Sequence, residues 1–214
     1  MFALSGNHVM PIFDAALDAK LPLLHVRHEA ATVHMADAWG RLTGEVGVAL
    51  VTGGPGHANA VSALYTALAA ESPVVLLSGH APTEELGKGA FQEMAQADMA
   101  GHACKASWTA RSAQSLGEEL ALAMRMASSG RPGPIHLSLP VDFLEAKVKE
   151  DLPPAAKSLA EPPAAMDPAV LEALRAAAKP LLIAGPAAAN ARNRAALREF
   201  EEASGIPCRR QRRT

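Results

Sequence analysis

Apolar positions along the chain follow two rhythms. Leu21 to Val26, Val46 to Val51 and Pro73 to Gly79 are largely apolar runs of strand length. They lack the alternation of a half-buried strand, which suits a parallel sheet covered on both faces. Between them the period lengthens. Ala31, Met35, Ala38 and Leu42 fall at i, i+4, i+7 and i+11, predicting a helix that starts at Glu29, buries that stripe and closes at Gly44. Val61, Leu64 and Leu68 mark one face of a second helix. Strand and helix in strict alternation predict an α/β fold: a parallel-sheet, three-layer, Rossmann-like domain.

That order places two segments at the carboxyl edge of the sheet, where α/β proteins meet their ligands. One is Val26-Arg27-His28-Glu29, with a carboxylate in the first turn of a helix. The helix dipole alone favours an acid there, by about 0.3–1 kcal/mol, so position by itself favours a structural role. The other is Thr52-Gly53-Gly54-Pro55-Gly56-His57-Ala58-Asn59. As bare sequence, Gly-Pro-Gly after a strand is a tight turn. Asn59 stands where a dinucleotide fingerprint needs its third glycine, and no Lys-Ser or Lys-Thr follows as in a P-loop.

The length of 214 residues allows one complete domain and part of another. Hydrophobic residues make up 49% but aromatic residues only 4%, so the core must be aliphatic and alanine-rich. A net charge of −2 gives no pull towards nucleic acid or an anionic membrane. No apolar run approaches the ~18 residues of a membrane helix, and the start shows no signal peptide. Cys104 and Cys208 form no close motif, which fits a reducing cytoplasm. The histidines show no paired ligand spacing and Thr32 stands where a zinc protease helix would need its second histidine, so no metal site is predicted. No Gly-x-Ser-x-Gly elbow occurs.

Three motifs in order, His28-Glu29-Ala30-Ala31-x-x-His34-Met35-Ala36-Asp37, Gly54-Pro55-Gly56-x-x-Asn59 and Ser72-Pro73-Val74-Val75-Leu76-Leu77-Ser78-Gly79, together resemble a known domain. It is the amino-terminal pyrimidine-binding domain of thiamine diphosphate enzymes of the acetolactate synthase, pyruvate oxidase and benzaldehyde lyase group. Phe2-Ala3-Leu4-Ser5-Gly6, Ala90-Phe91-Gln92-Glu93 and Arg131-Pro132-Gly133-Pro134-Ile135-His136-Leu137-Ser138-Leu139-Pro140 extend the match. The likeness runs from Phe2 to about Leu144, and more weakly to about Pro207.

The resemblance implies a cofactor, thiamine diphosphate, met here only at its pyrimidine end. In the family a glutamate hydrogen-bonded to the pyrimidine ring nitrogen favours the imino tautomer that deprotonates the thiazolium carbon, and Glu29 matches it. Such an acid works best with its pKa raised in a dry cleft. Gly6, Asn7, Thr52, Gly53, Pro55 and Gly56 would line the pyrimidine, with Asn59 supporting the loop. Ser5 replaces the proline many relatives carry. His8 matches an active-site acid or base in benzaldehyde lyase-like members; an exposed loop histidine is the alternative. Gln92 matches a glutamine aimed at the reacting intermediate, a surface amide being its alternative. Magnesium, the diphosphate and any FAD would be held by domains not present here, since no Gly-Asp-Gly occurs in the chain. The family's homodimers or homotetramers act on small-molecule 2-oxo acids or related carbonyl compounds. The expectation is the amino-terminal part of a lyase or carboligase, inactive as a fragment. The alternative is a non-catalytic binding or assembly module of the same fold.

Punctuation divides the chain into a pyrimidine-binding domain over 1–149, a Pro/Ala-rich linker over 150–167 and the truncated start of a central domain over 168–214. In the last part a helix is predicted from Pro168 to Lys179, a strand from Leu181 to Ala184 and a helix from Asn193 to Ser204. Set against the family, the first helix is missing. Arg209, Arg210, Arg212 and Arg213 are expected to break a strand as the end of a truncated or frame-shifted text, a basic binding tail being the alternative.

Overall fold

The structure, a computed structural model, describes residues 1–148, 165–186, 188–189 and 193–211. Most of the predicted linker lies outside the described residues. The chain separates into two units, Met1–Ser158 and Leu159–Thr214.

The first unit alternates strand and helix throughout. Strand β1 (Phe2–Ala3) leads through a short 3-10 turn (Asn7–Val9) into α1 (Met10–Asp18), then β2 (Leu24–His25) and α2 (Glu29–Thr43). Next come β3 (Gly47–Val51), α3 (Pro55–Ala70), β4 (Val74–His80), α4 (Gln96–Gly101), β5 (Ala106–Thr109), α5 (Leu116–Ser128), β6 (Ile135–Pro140) and α6 (Val141–Glu145). The six strands are all parallel, in the order β2-β1-β3-β4-β6-β5.

Alternate residues of the central strands feed two cores. Ala49, Val51, Val74 and Leu76 face Val33 and Ala36 of α2 and Ala60, Leu64 and Ala67 of α3. Leu50, Val75 and Leu77 belong to the opposite core, with Ala123 and Ala127 of α5 and, partly buried, Ile12 and Phe13 of α1. The predicted α/β three-layer class is therefore the observed one. Because α1 and α3 lie on opposite faces, the chain changes sides between the neighbouring strands β1 and β3. A crevice opens at the carboxyl ends of strands at such a point.

Helix α2 has the predicted ends and a different buried face. His28 caps it in extended conformation, its Nδ1 accepting from the Ala30 amide at 3.1 Å, and Gly44 closes it at φ 73°. The buried side chains are Thr32, Val33, Ala36, Asp37 and Gly40, not the stripe Ala31, Met35, Ala38 and Leu42; Leu42 is 79% exposed. The period was right and the phase was not. Two polar residues are buried with partners inside the helix itself, and Asp37 Oδ1 is left without a hydrogen bond. Thr32 Oγ1 donates to the Glu29 carbonyl at 2.7 Å, and Asp37 pairs with Arg41. Gly40 lets the chain at Ser72 and Pro73 approach closely: a Cβ there would stand 2.8 Å from Ser72 Oγ and 2.9 Å from Pro73 O.

The second unit holds α7 (Pro168–Ala176), β7 (Leu182–Ala184), α8 (Arg194–Ser204) and β8 (Cys208–Arg210). Asp167 caps α7 by accepting from the Ala169 amide at 2.9 Å. β8 pairs parallel with β7, Ile183 facing Arg209 and Ala184 facing Arg210. This corrects the reading of the arginine run as a break in the strand. Arg209 and Arg210 are strand residues with exposed side chains, whereas Arg212 and Arg213 lie outside the described residues.

Candidate functional site

The carboxyl ends of β1, β2 and β3 bring three separate sequence segments together. Glu29, the first residue of α2, comes from the turn after β2. Its half-buried carboxylate accepts a hydrogen bond at Oε2 from Asn59 Nδ2, 3.0 Å away on the second turn of α3. Both helices start at the same sheet edge, so the two side chains meet. The sequence assigned Asn59 to supporting the loop; the structure places it on Glu29 instead.

Oε1 of Glu29 faces a surface made largely of glycine. A Cβ on Gly56 would stand 3.4 Å from it and 2.7 Å from Thr52 Cγ2. A Cβ on Gly6 would fall 2.4 Å from Thr52 Cβ, and one on Gly53 would fall 2.7 Å from the Gly79 carbonyl and 3.3 Å from His8 Nδ1. These glycines are needed for close packing, since a side chain on any of them would collide with Thr52 or with the Gly79 carbonyl. Pro55 opens α3 at its first position, where a missing amide costs nothing. Asn7 is exposed at the start of the 3-10 turn.

His8 is 5% exposed, which removes the reading of an exposed loop histidine. Its Nδ1 is hydrogen-bonded to Thr52 Oγ1 at 3.2 Å, and its ring stacks on Phe91 with centroids 6.0 Å apart. Burial lowers its pKa, His80 adds to this and the Phe91 backbone opposes it.

Gln92 adopts a left-handed backbone, φ 58°, and presses on the glycine turn. A Cβ on Gly54 would lie 2.6 Å from the Gln92 carbonyl oxygen. Such a conformation in a non-glycine residue needs support, and Glu93 provides it. Its carboxylate accepts from the amides of Gly87, Gly89 and Ala90, and those amides hold its pKa below the usual carboxylate range, Gly87 first.

Beneath the crevice lies a buried polar layer that sequence reading missed. Gln96, His57, His136, Ser78 and Ser138 are all buried. His57 Nδ1 is hydrogen-bonded to Ser78 Oγ at 2.8 Å, and the His57 and His136 rings lie 4.5 Å apart. His80 donates through Nε2 to the Met94 carbonyl at 3.2 Å. Burial pushes His57 down to about 4, with the Gln96 backbone opposing and His80 assisting. His136 falls well below its ordinary value through burial, then through His57 and His80. Histidines scattered in the sequence thus meet in space, yet among the described residues no three His, Cys, Asp or Glu side chains gather as metal ligands.

The family described as thiamine pyrophosphate enzyme, N-terminal TPP binding domain, matches residues 1–99. The chain is 36% identical over 148 residues to a probable acetolactate synthase large subunit of Methanocaldococcus jannaschii, covering 69% of this chain and 25% of that protein. It is 36% identical over 219 residues to the acetolactate synthase isozyme 3 large subunit of Escherichia coli K12, covering 97% of this chain and 38% of the relative. With 2-hydroxyacyl-CoA lyase 2 of Homo sapiens the identity is 40% over 144 residues, 67% of this chain and 23% of the other. The chain thus spans between 23% and 38% of the length of these curated relatives. Residues 1–99, within the all-parallel sheet unit, carry the N-terminal TPP binding domain of the thiamine diphosphate-dependent enzyme family.

Proposed function

We propose that this chain supplies the pyrimidine side of the active site in a thiamine diphosphate-dependent lyase or carboligase acting on 2-oxo acids or related carbonyl compounds. The observation that carries the reading is Glu29: one carboxylate oxygen is held by Asn59 and the other faces the Gly56 surface. When bound, thiamine diphosphate supplies a nucleophilic carbon on its thiazolium ring. Glu29 holds a proton at Oε1 for the ring nitrogen of the aminopyrimidine, with Asn59 setting the angle of the carboxylate. Gly6, Gly53 and Gly56 let a flat heterocycle reach the backbone, Thr52 and Pro55 bound it and Asn7 stands at its edge. His8 and Gln92 face the substrate side, where His8, kept neutral by burial, is fitted to accept a proton.

Magnesium, the diphosphate and, in an acetolactate synthase-like enzyme, FAD are assigned to further domains, and the chain alone is proposed to be inactive. Assembly as a homodimer or homotetramer is proposed on the same footing. Cys104 and Cys208 are unpaired, which supports a reducing, cytoplasmic setting, and among the described residues no helix is long and apolar enough to cross a membrane.

The test is Glu29→Gln in the enzyme complete with its other domains. Turnover falls by ~10²–10⁴-fold, the size of one positioned acid–base group, while circular dichroism stays unchanged and exchange of the thiazolium proton slows in parallel. Survival of both turnover and exchange overturns the assignment.

A further inference from the structure

Gln96 is 1% exposed and touches three separate elements. Its Oε1 accepts from the Gly54 amide at 2.8 Å; its Nε2 donates to the Gly79 carbonyl at 3.1 Å and to Ser138 Oγ at 2.9 Å. The orientation of this side-chain amide is forced. Gly54 N–H can only donate and Gly79 C=O can only accept, so the oxygen must face one and the nitrogen the other.

The same logic runs onward. Ser107 Oγ donates to the Ala97 carbonyl at 2.7 Å, and a hydroxyl has one proton to give. His136 Nδ1, 2.8 Å from Ser107 Oγ, must then be the donor of that pair. A neutral His136 protonated at Nδ1 leaves Nε2 as an acceptor. Ser138 Oγ, 3.5 Å from Nε2, donates to it and is left to accept from Gln96. Every proton along Gly54, Gln96, Ser138, His136, Ser107 and Ala97 therefore points the same way.

We propose that Gln96 is the positioning residue of the Gly53–Gly54 turn, and that it is locked in place by a one-way hydrogen-bond chain running through Ser138 and the Nδ1–H tautomer of His136 to Ser107. The turn is clamped from two sides, by Gln96 through the Gly54 amide and by the Gln92 backbone at the Gly54 α-carbon. Gln96 thus sets the height of the crevice floor without touching what lies in it. Protonating His136 at Nε2 would set a donor against the Ser138 hydroxyl and break the chain at its longest link. The role of the turn as a cofactor floor rests on the thiamine diphosphate reading above; the bond chain does not.

The experiment is NMR on the isotope-labelled 214-residue chain. Long-range proton–nitrogen correlation should show His136 neutral at pH 7 with Nδ1 protonated, and coupling through the hydrogen bond should link Gly54 N to the Gln96 side-chain carbonyl carbon. Gln96→Met should speed exchange of the Gly54 amide by about tenfold or more and release His136 from its single tautomer. Gln96→Glu keeps an acceptor for Gly54 but loses both donors, so it should restore most Gly54 protection without restoring the tautomer. Finding Nε2–H or charged His136 in the unmodified chain, or no coupling from Gly54 to Gln96, overturns the proposal even if Gln96→Met does not fold. Equal Gly54 protection in Gln96→Met overturns it too. In the enzyme complete with its other domains, thiamine diphosphate with magnesium should slow exchange of the Gly53, Gly54 and Gly56 amides, and less so in Gln96→Met. No change at those amides in an enzyme whose bond chain is intact refutes the floor role and counts against the cofactor reading alone.

Discussion

The rim of the crevice and the layer beneath it are both polar, and they are held in opposite ways. At the rim, Glu29 and Asn59 meet half in water through one hydrogen bond of 3.0 Å. In the layer, His57, Gln96, His136, Ser78 and Ser138 are buried and bonded to one another or to the backbone. Removing one partner of a buried pair costs about 1–3 kcal/mol, because the other is left without water or protein to bond. An exposed pair is worth less than about 1 kcal/mol. The Glu29 carboxylate thus stays reachable from water, and the buried bonds are placed one layer down.

Acid breaks the comparison most strongly. His57 is neutral in the fold with its pKa lowered to about 4, against about 6.5 in the unfolded chain. The unfolded chain binds the proton first as pH falls, so stability is complete above about pH 6.5 and is lost towards pH 4. For His57 alone the loss amounts to about 3 kcal/mol at about 1.4 kcal/mol per unit. His136 and His8, both lowered, add to it in the same direction. Urea midpoints measured from pH 7.5 to 4 should fall steeply in the unmodified chain and markedly less in His57→Gln. Equal slopes would mean that the layer is not the acid-sensitive part.

Gly79 is where rim and layer touch. Its carbonyl accepts from Gln96, and a Cβ on it would lie 2.5 Å from His8 Cβ and 2.8 Å from Val9 Cγ1. Gly79→Ala therefore has to push His8 and Val9 outward, an overpacking cost of about 1–3 kcal/mol. Thermal denaturation should show it, together with a shifted His8 resonance as the contact with Thr52 loosens. An unchanged melting temperature would uncouple the two levels.

How much of this was legible beforehand follows from which contacts are local. Continuous apolar runs announced β3 and β4, and Gly44 announced the end of α2. The phase of α2 was not legible, because Thr32 and Asp37 are polar residues on the buried face, where their partners Glu29 and Arg41 lie in the same helix and Asp37 Oδ1 has none. Glu29, His8 and the glycines stood out as motifs; their mutual geometry did not. The layer's residues His57, Ser78, His136 and Ser138 stood within motifs, but nothing in the sequence marked them as meeting in one layer. His57 and His136 meet because parallel pairing of β4 with β6 sets Leu76 beside His136 and Ser78 beside Ser138, and no periodicity encodes that register. Gln96 sits in a polar stretch that reads as loop. β8 was hidden for a different reason: in a two-stranded sheet, Arg209 and Arg210 keep their side chains in water.

Asn59→Ala sharpens the contrast from the weak side. The Asn59 side chain is exposed and bonds to one oxygen of Glu29, so its loss leaves that oxygen to water and not to a dry interior. Chain stability should change by less than about 1 kcal/mol, well under the cost of Gly79→Ala. In the complete enzyme the carboxylate would lose its fixed angle but keep its proton chemistry. Turnover should drop by about tenfold, the equivalent of roughly 1.4 kcal/mol and within the usual net worth of one hydrogen bond, far less than for Glu29→Gln. A stability loss as large as that expected for buried pairs would show that the rim also carries the fold. A turnover loss as large as that of Glu29→Gln would make Asn59 a partner in the proton transfer and not a guide for the carboxylate.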